Sequence, residues 1–250
     1  MRVGLQKTSL VNYPSHVAAV VFLPGCNMRC PYCYNAELAC ASGLTGPEDS
    51  TANRYVPLEA VYEHLSKRKN VLTGCVITGG EALLSPALSD LIVHAKEAGL
   101  AVKIDTNGLL PDALSQLVQN PQLCPDMLAL DIKTSPARYG ELIPQSTAAV
   151  QKNAETAITK TLIMLQNRRS FCRTVAVEYR TVLVPGLVTE ADICSRAAYV
   201  PADAVWFFSP FMPGSCMDPQ WNSISPYSLS EMQALVCKAQ QFVPLSRLRT

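Results

Sequence analysis

Charge is scarce in this chain. Only 16% of its 250 residues are Asp, Glu, Lys or Arg, against about 25% in an average soluble domain. Lys plus Arg (21) nearly cancel Asp plus Glu (20), leaving a net charge of +1. So small a charge supplies no basic field for a phosphate backbone, so nucleic acid is not an expected partner. Long apolar runs are missing too. The longest, residues 17–23, stops at Pro24, whereas a membrane span needs about 20 residues. Arg2, Gln6 and Lys7 stand where a secretory leader would carry its apolar stretch, so no leader and no membrane are expected, and the expected location is the cytoplasm. Thiols stay reduced there, and ten cysteines are too few for a disulfide scaffold of this length. Clustered cysteines are then metal ligands before they are bridges. With 48% hydrophobic residues, the chain has ample material for a buried core.

Short apolar runs alternate with stretches of helical period, the pattern of βα units around a buried parallel sheet. The runs predict strands over 17–23, 74–78, 101–105, 127–132, 174–184 and 204–209. Helices are predicted over 58–69, 85–98, 112–119, 150–166, 190–199 and 229–242, with Ser85-Pro86 opening the second and Gly99 closing it. Residues 40–54 read as a polar loop. No repeat or linker divides the sequence, so one α/β domain over 1–250 is expected, with its core over about 15–212 and a C-terminal helix over about 228–243. Six βα units make either an open doubly wound sheet or an incomplete barrel, and both gather ligands beyond the carboxyl ends of the strands.

The first strand runs into Cys26, Cys30 and Cys33, a C-x3-C-x2-C spacing flanked by Gly25, Pro24 and Pro31. Three soft thiolates within eight residues can grip one metal centre. A structural zinc needs four closed ligands, and the fourth would have to be Cys40 or His16 at no standard spacing. An iron-sulfur cluster held by three cysteines instead keeps one iron open to an outside ligand. Buried cysteines of no function are the plain alternative.

With Tyr32 just before the third cysteine, this segment resembles the radical S-adenosylmethionine (SAM) superfamily. The stretch GLQKTSLVNYP at 4–14, followed by VVFLPGC at 20–26, is similar to the glycyl radical enzyme activases, above all those of anaerobic ribonucleoside-triphosphate reductases. The resemblance implies a partial (β/α)6 barrel, a 4Fe-4S cluster on Cys26, Cys30 and Cys33, and SAM cleaved to a 5'-deoxyadenosyl radical, with no catalytic side chain beyond the cofactors. It implies a glycyl radical enzyme as the protein substrate and reduced flavodoxin or ferredoxin as the electron donor.

The other strand ends are polar as well. Gly79-Gly80-Glu81 follows the second strand. Paired glycines let backbone approach a ligand and Glu81 adds an acceptor, although a plain turn has the same look. By resemblance this segment holds the SAM amine, with Ala82 in place of the family's usual Pro. Asp105 and Asn107 share one side of the third strand's end, and Asp131 and Lys133 one side of the fourth. Charges facing inward are costly unless paired or used, so an Asx turn at the third and a mutual ion pair at the fourth are the structural alternatives. The resemblance places Lys133 at the SAM carboxylate, Asn107 near the ribose, a monovalent cation beside Asp105 and Asp131, and the segment around Val184 on the adenine. The aromatic run 206–211 either lines the opening or closes the core. His16, His64 and His94 read as structural, and Cys40, Cys75, Cys124, Cys172, Cys194, Cys216 and Cys237 form no second cluster motif. A radical SAM enzyme acting on a small molecule, and a metal-binding redox sensor, are the alternatives. The sensor leaves the polar strand ends unexplained.

Overall fold

The computed structural model describes residues 1–41, 55–143 and 147–249, so the greater part of the polar loop expected at 40–54 lies outside the described residues. All six expected strands form: β2 (Ala18–Leu23), β4 (Gly74–Gly79), β5 (Ala101–Thr106), β6 (Met127–Asp131), β7 (Ala176–Leu183) and β8 (Val205–Pro210). Three more join them at the two ends of the sheet: β1 (Arg2–Ser9), β3 (Tyr55–Pro57) and β9 (Arg247–Leu248). Their absence from the sequence reading has a physical cause. Gln6, Lys7 and Thr8 of β1 are exposed, so this strand near the sheet's end shows no apolar run, and β3 and β9 are too short to display a period.

The order β3-β1-β2-β4-β5-β6-β7-β8-β9 is parallel from β2 to β9, with β1 antiparallel to both its neighbours. A doubly wound sheet reverses direction at a switch point. Here each parallel strand lies beside the next in sequence, as in a barrel, and inward side chains of β5, β6 and β7 meet one another. The fold is a partial α/β barrel. Helices α2 (Leu58–Lys67), α3 (Leu88–Glu97), α4 (Pro111–Gln119), α5 (Ala148–Asn167), α6 (Glu190–Ala197) and α7 (Leu229–Gln240) match the six expected, and a short α1 (Ala36–Cys40) follows the cysteine loop. Ser85-Pro86 does not open α3 directly: the Ser85 hydroxyl caps Ala87 at 3.3 Å, and the helix starts at Leu88. Among the described residues no helix is long and apolar enough to cross a membrane.

Side chains alternate across each strand. Val21, Ile77, Ile104 and Leu130 belong to the large core that also takes in residues of the helices. The other face, the lumen, is divided. On the β2 and β4 side it is apolar, with Ala18, Val20 and Val76 packed around Tyr13. On the β5 to β7 side it is charged: Lys103 and Asp105, then Asp131, then Glu178 and Arg180. In the aromatic run, Trp206, Phe208 and Phe211 are buried in the large core, with Trp206 Nε1 donating to Thr181 Oγ1 at 3.0 Å. Phe207 is covered by the Arg249 guanidinium, 3.4 Å from its ring centroid. The run closes the core.

Arg249 also reaches the carboxylate of Glu178, at 2.9 and 3.3 Å, and Glu178 is 3% exposed. Replacing Arg249 by Ala leaves a buried carboxylate without these donors. The expected loss is about 1–3 kcal/mol, read as a lowered urea midpoint with an unchanged slope. Arg249→Lys should recover part of it.

Candidate functional site

A cavity of about 260 Å3 opens at the carboxyl ends of the strands. The loop after β2 gives it Cys26, Cys30, Tyr32, Cys33, Tyr34 and Asn35. Thr78, Gly79 and Gly80 come from β4 and its exit, Asp105 and Asn107 from β5, Asp131 and Lys133 from β6, and Arg180 and Val182 from β7. Ten of the residues singled out from sequence therefore meet in one place. Neither Cys40 nor His16, the two candidates for a fourth zinc ligand, lines it. Among the described residues no group of three His, Cys, Asp or Glu could hold a single metal ion.

Backbone crossing explains the paired glycines. Gly80 N donates to Leu23 O at 2.9 Å and Glu81 N to Gly25 O at 2.8 Å, so the exits of β2 and β4 are laced together. Gly79 has φ +131°, and a Cβ there would lie 2.2 Å from Leu23 O. One on Gly80 would lie 2.0 Å from Gly25 O. Only glycine fits either position. The cysteine loop is held from several sides: Arg29 N donates to Leu142 O, the Arg29 guanidinium to the carbonyls of Cys26 and Met28, and Cys33 N to Cys30 O. Asn107 Nδ2 donates to Asn27 Oδ1 at 2.8 Å and lies 3.8 Å from Cys26 Sγ. Burial pushes the Cys26 thiol up and the Cys30 thiol to about 12, with Lys133 pulling both the other way. Thiolates at these positions therefore require a compensating positive centre.

Charge on the opposite wall is organised around Arg180. Its Nε donates to Asp131 Oδ1 at 2.7 Å and its Nη1 to Asp105 Oδ2 at 3.1 Å, while Lys103 Nζ holds Asp105 Oδ1 at 2.9 Å. Lys133 Nζ stands 3.6 Å from Asp131 Oδ2. Burial would lower the Lys133 ammonium, but Asp131 together with Tyr32, Cys30 and Tyr139 outweighs it and holds it well above the usual lysine value. Asp131 is itself held low, because Arg180 and Lys133 outweigh its burial. Three cations face two carboxylates here, an excess of one positive charge. The place between Asp105 and Asp131 expected to take a monovalent cation holds the Arg180 guanidinium instead, and a further cation would meet like charge.

Two expected contacts are corrected. Glu81 is 1% exposed and does not line the cavity. Its carboxylate turns to the end of β5, accepting from Asn107 N at 2.7 Å, Thr106 Oγ1 at 2.8 Å and Leu83 N at 3.2 Å. Val184 is fully buried beyond the end of β7, and Val182, in register with Glu178 and Arg180, takes its place at the wall. Arg180 and Val182 were overlooked, although the rule that flagged Asp131 and Lys133, a charge within an apolar strand, applies equally to Arg180. The histidines stay structural: His16 stacks on Tyr13, His94 on Tyr62, and His64 bonds Lys7 O.

Residues 20–164 match the family model of the Radical SAM superfamily. A Methanocaldococcus jannaschii protein, provisionally named a glycyl-radical enzyme activating enzyme, is 29% identical over 252 residues, which span 99% of this chain and 95% of that one. The pyruvate formate-lyase-activating enzyme of Clostridium pasteurianum is 29% identical over 131 residues, covering 52% of this chain and 51% of its own length. Among solved structures, Streptococcus suis SuiB bound to S-adenosylmethionine superposes with a TM-score of 0.62 at 12% identity, over 92% of this chain and 52% of SuiB. That last likeness is one of fold.

Glu81 generates a pH prediction. Burial raises its carboxyl from an ordinary 4.5 to about 7, against the pull of its three donors. Between those values the folded chain keeps a proton that the unfolded chain has lost, so stability falls as pH rises through that window. Below it the contribution vanishes, and above it the full cost is about 3 kcal/mol. The unfolding free energy of the wild type minus that of Glu81→Gln, followed by urea from pH 4.5 to 8, should decline with rising pH. A difference that grows with pH would mean that the three donors outweigh burial.

Proposed function

Because this chain belongs to the radical SAM superfamily, we propose that it is an activase that cleaves SAM reductively and leaves a radical on a glycine of a partner enzyme. The observation that carries the reading is the single cavity in which three thiols of one loop face Lys133 and the Gly79-Gly80 backbone. Similarity to an activating enzyme along nearly the whole length of both chains adds to it. Cys26, Cys30 and Cys33 would hold three irons of a 4Fe-4S cluster and leave the fourth open. When bound, the cluster supplies the electron that splits the SAM sulfonium into methionine and a 5'-deoxyadenosyl radical.

Everything else is positioning, and the chain's own residues do it. Lys133, at the place of excess positive charge, would receive the SAM carboxylate. Backbone groups around Gly79 and Gly80 would accept from the amine, where a side chain on either glycine would clash. Asn107 ties the cysteine loop to β5 and offers an amide toward the ribose. Glu81 acts behind the wall by fixing the Asn107 backbone. Tyr32 and Val182 supply apolar surface that excludes water from a reactive intermediate. Residues 4–14 favour an anaerobic ribonucleoside-triphosphate reductase as partner. The proposed setting is the cytoplasm, where reduced flavodoxin or ferredoxin would deliver the electron.

Replacing Cys30 by Ala should abolish SAM cleavage. Lys133→Ala should keep its iron and weaken SAM binding about ten- to a hundredfold. Unchanged affinity would move the carboxylate site elsewhere. The partner is tested by electron paramagnetic resonance on reduced protein, SAM and a candidate glycyl radical enzyme, which should give a carbon-centred doublet that is lost when the partner's glycine becomes Ala. Consumption of a small molecule together with SAM, and no doublet with any candidate, would replace the activase by a small-molecule enzyme.

A further inference from the structure

One short segment braces both halves of the SAM cavity without lining it. It is a 3-10 helix over Pro136–Leu142, just past the exit of β6. It carries Tyr139, fully buried and absent from the cavity wall. The Tyr139 hydroxyl works in both senses at that exit, accepting from Lys133 N at 3.0 Å and donating to Asp131 O at 3.3 Å. Between those two groups, Ile132 N donates to Arg180 O at 2.8 Å, and Ile132 O accepts from Thr181 Oγ1 at 2.8 Å and from Arg196 Nη1 at 3.2 Å. Three elements, β7, α6 and the 3-10 helix, thus hold the backbone that carries Lys133. The brace is itself anchored. Ser135 Oγ, just before it, donates to Asp192 Oδ1 at 2.7 Å, and Arg138 Nη1 donates to Leu187 O at 3.2 Å. Gly140 lies so close to α5 that a Cβ there would stand 2.3 Å from Gln151 Cγ. At the far end Leu142 O accepts from Arg29 N of the cysteine loop at 2.8 Å. One anchored turn therefore ties the cysteine loop to the strand end that presents Lys133.

We propose that Tyr139 is a positioning residue for the SAM carboxylate: its hydroxyl fixes the Lys133 backbone before the ligand arrives, so that binding need not order the strand end. The inference rests on the reading of the cavity as a SAM site. A peptide N–H at a buried strand end must be paired. With its partner supplied from within the protein, only the Lys133 side chain is left to be ordered on binding, and a preorganised site gains affinity in this way. Tyr139 does not line the cavity, so it acts through Lys133. Tyr139→Phe keeps the ring that fills the core and removes the hydroxyl that bonds Lys133 N and Asp131 O.

The experiment compares SAM with its decarboxylated analogue, by anaerobic titration calorimetry on cluster-loaded wild type and Tyr139→Phe. SAM should bind the variant about three- to tenfold more weakly. The analogue, with no carboxylate for Lys133 to hold, should bind both proteins alike. Equal weakening of the two ligands would reveal a general packing defect, and no weakening of either an idle hydroxyl; each result overturns the proposal. Failure of the wild type to bind SAM would instead refute the reading of the cavity, and the proposal with it. Amide hydrogen exchange on the wild type decides the matter even if the variant fails to fold. The Lys133 amide should already be protected in SAM-free protein, and protection that arises only with SAM would overturn the positioning role.

Discussion

Arg180 holds carboxylates from two neighbouring strands inside a barrel, and the geometry of the cavity above it follows from that contact. Each charge alone would be costly in the lumen, because removing an ion from water is repaid only when its partners are complete. Here they are complete: Arg180 bonds Asp105 of β5 and Asp131 of β6, and Lys103 takes the second oxygen of Asp105. The three strands are thereby registered by charge as well as by their ladders. Asp131, fixed by Arg180, in turn fixes the strand end that carries Lys133. Replacing any one of these groups would strand another, so the network acts as a unit and not as separate ion pairs.

Sterics complement electrostatics on the other side of the lumen. Where β2 and β4 leave the sheet, their backbones approach so closely that Gly79 and Gly80 tolerate no side chain. That closeness brings bare backbone to the cavity within reach of the cysteine loop, whose own turn is tied to Leu142 and Asn107. One wall therefore offers peptide groups and thiols, the other a net positive charge. A zwitterionic amino-acid moiety beside a metal cluster suits such a pair of walls.

The parallel strands were legible because a strand covered on both faces is written as a continuous apolar run. β1, β3 and β9 were not, since a strand with half its residues in water, or with two or three residues in all, leaves no such trace. The strand-end rule pointed to the residues that line the cavity, because that is where side chains leaving successive parallel strands converge. It failed for Glu81, since a carboxylate just past a strand can turn toward the ligand or toward the next strand's backbone, and the choice rests on where Asn107 N and Thr106 Oγ1 lie. Val184 failed by parity and position: Val182 keeps the inward register of Glu178 and Arg180, whereas Val184 lies past the last residue of β7.

The lumen charges form an ordered series, and their order accounts for which group is free to meet a ligand. At the amino end of the strands Arg249 is spent on Glu178, and farther up Lys103 and Arg180 are spent on Asp105 and Asp131, each through hydrogen bonds of ordinary length. Lys133 is the last member. Among the described residues its ammonium has an ion contact with Asp131 Oδ2 at 3.6 Å, beyond hydrogen-bonding distance, while Arg180 holds the other oxygen of that carboxylate at 2.7 Å. A cation that keeps its charge through a neighbour, yet donates no hydrogen bond to it, can turn to an incoming carboxylate at the cost of one long ion contact. Pairing along the rest of the series thus leaves its most loosely held charge where the strands open.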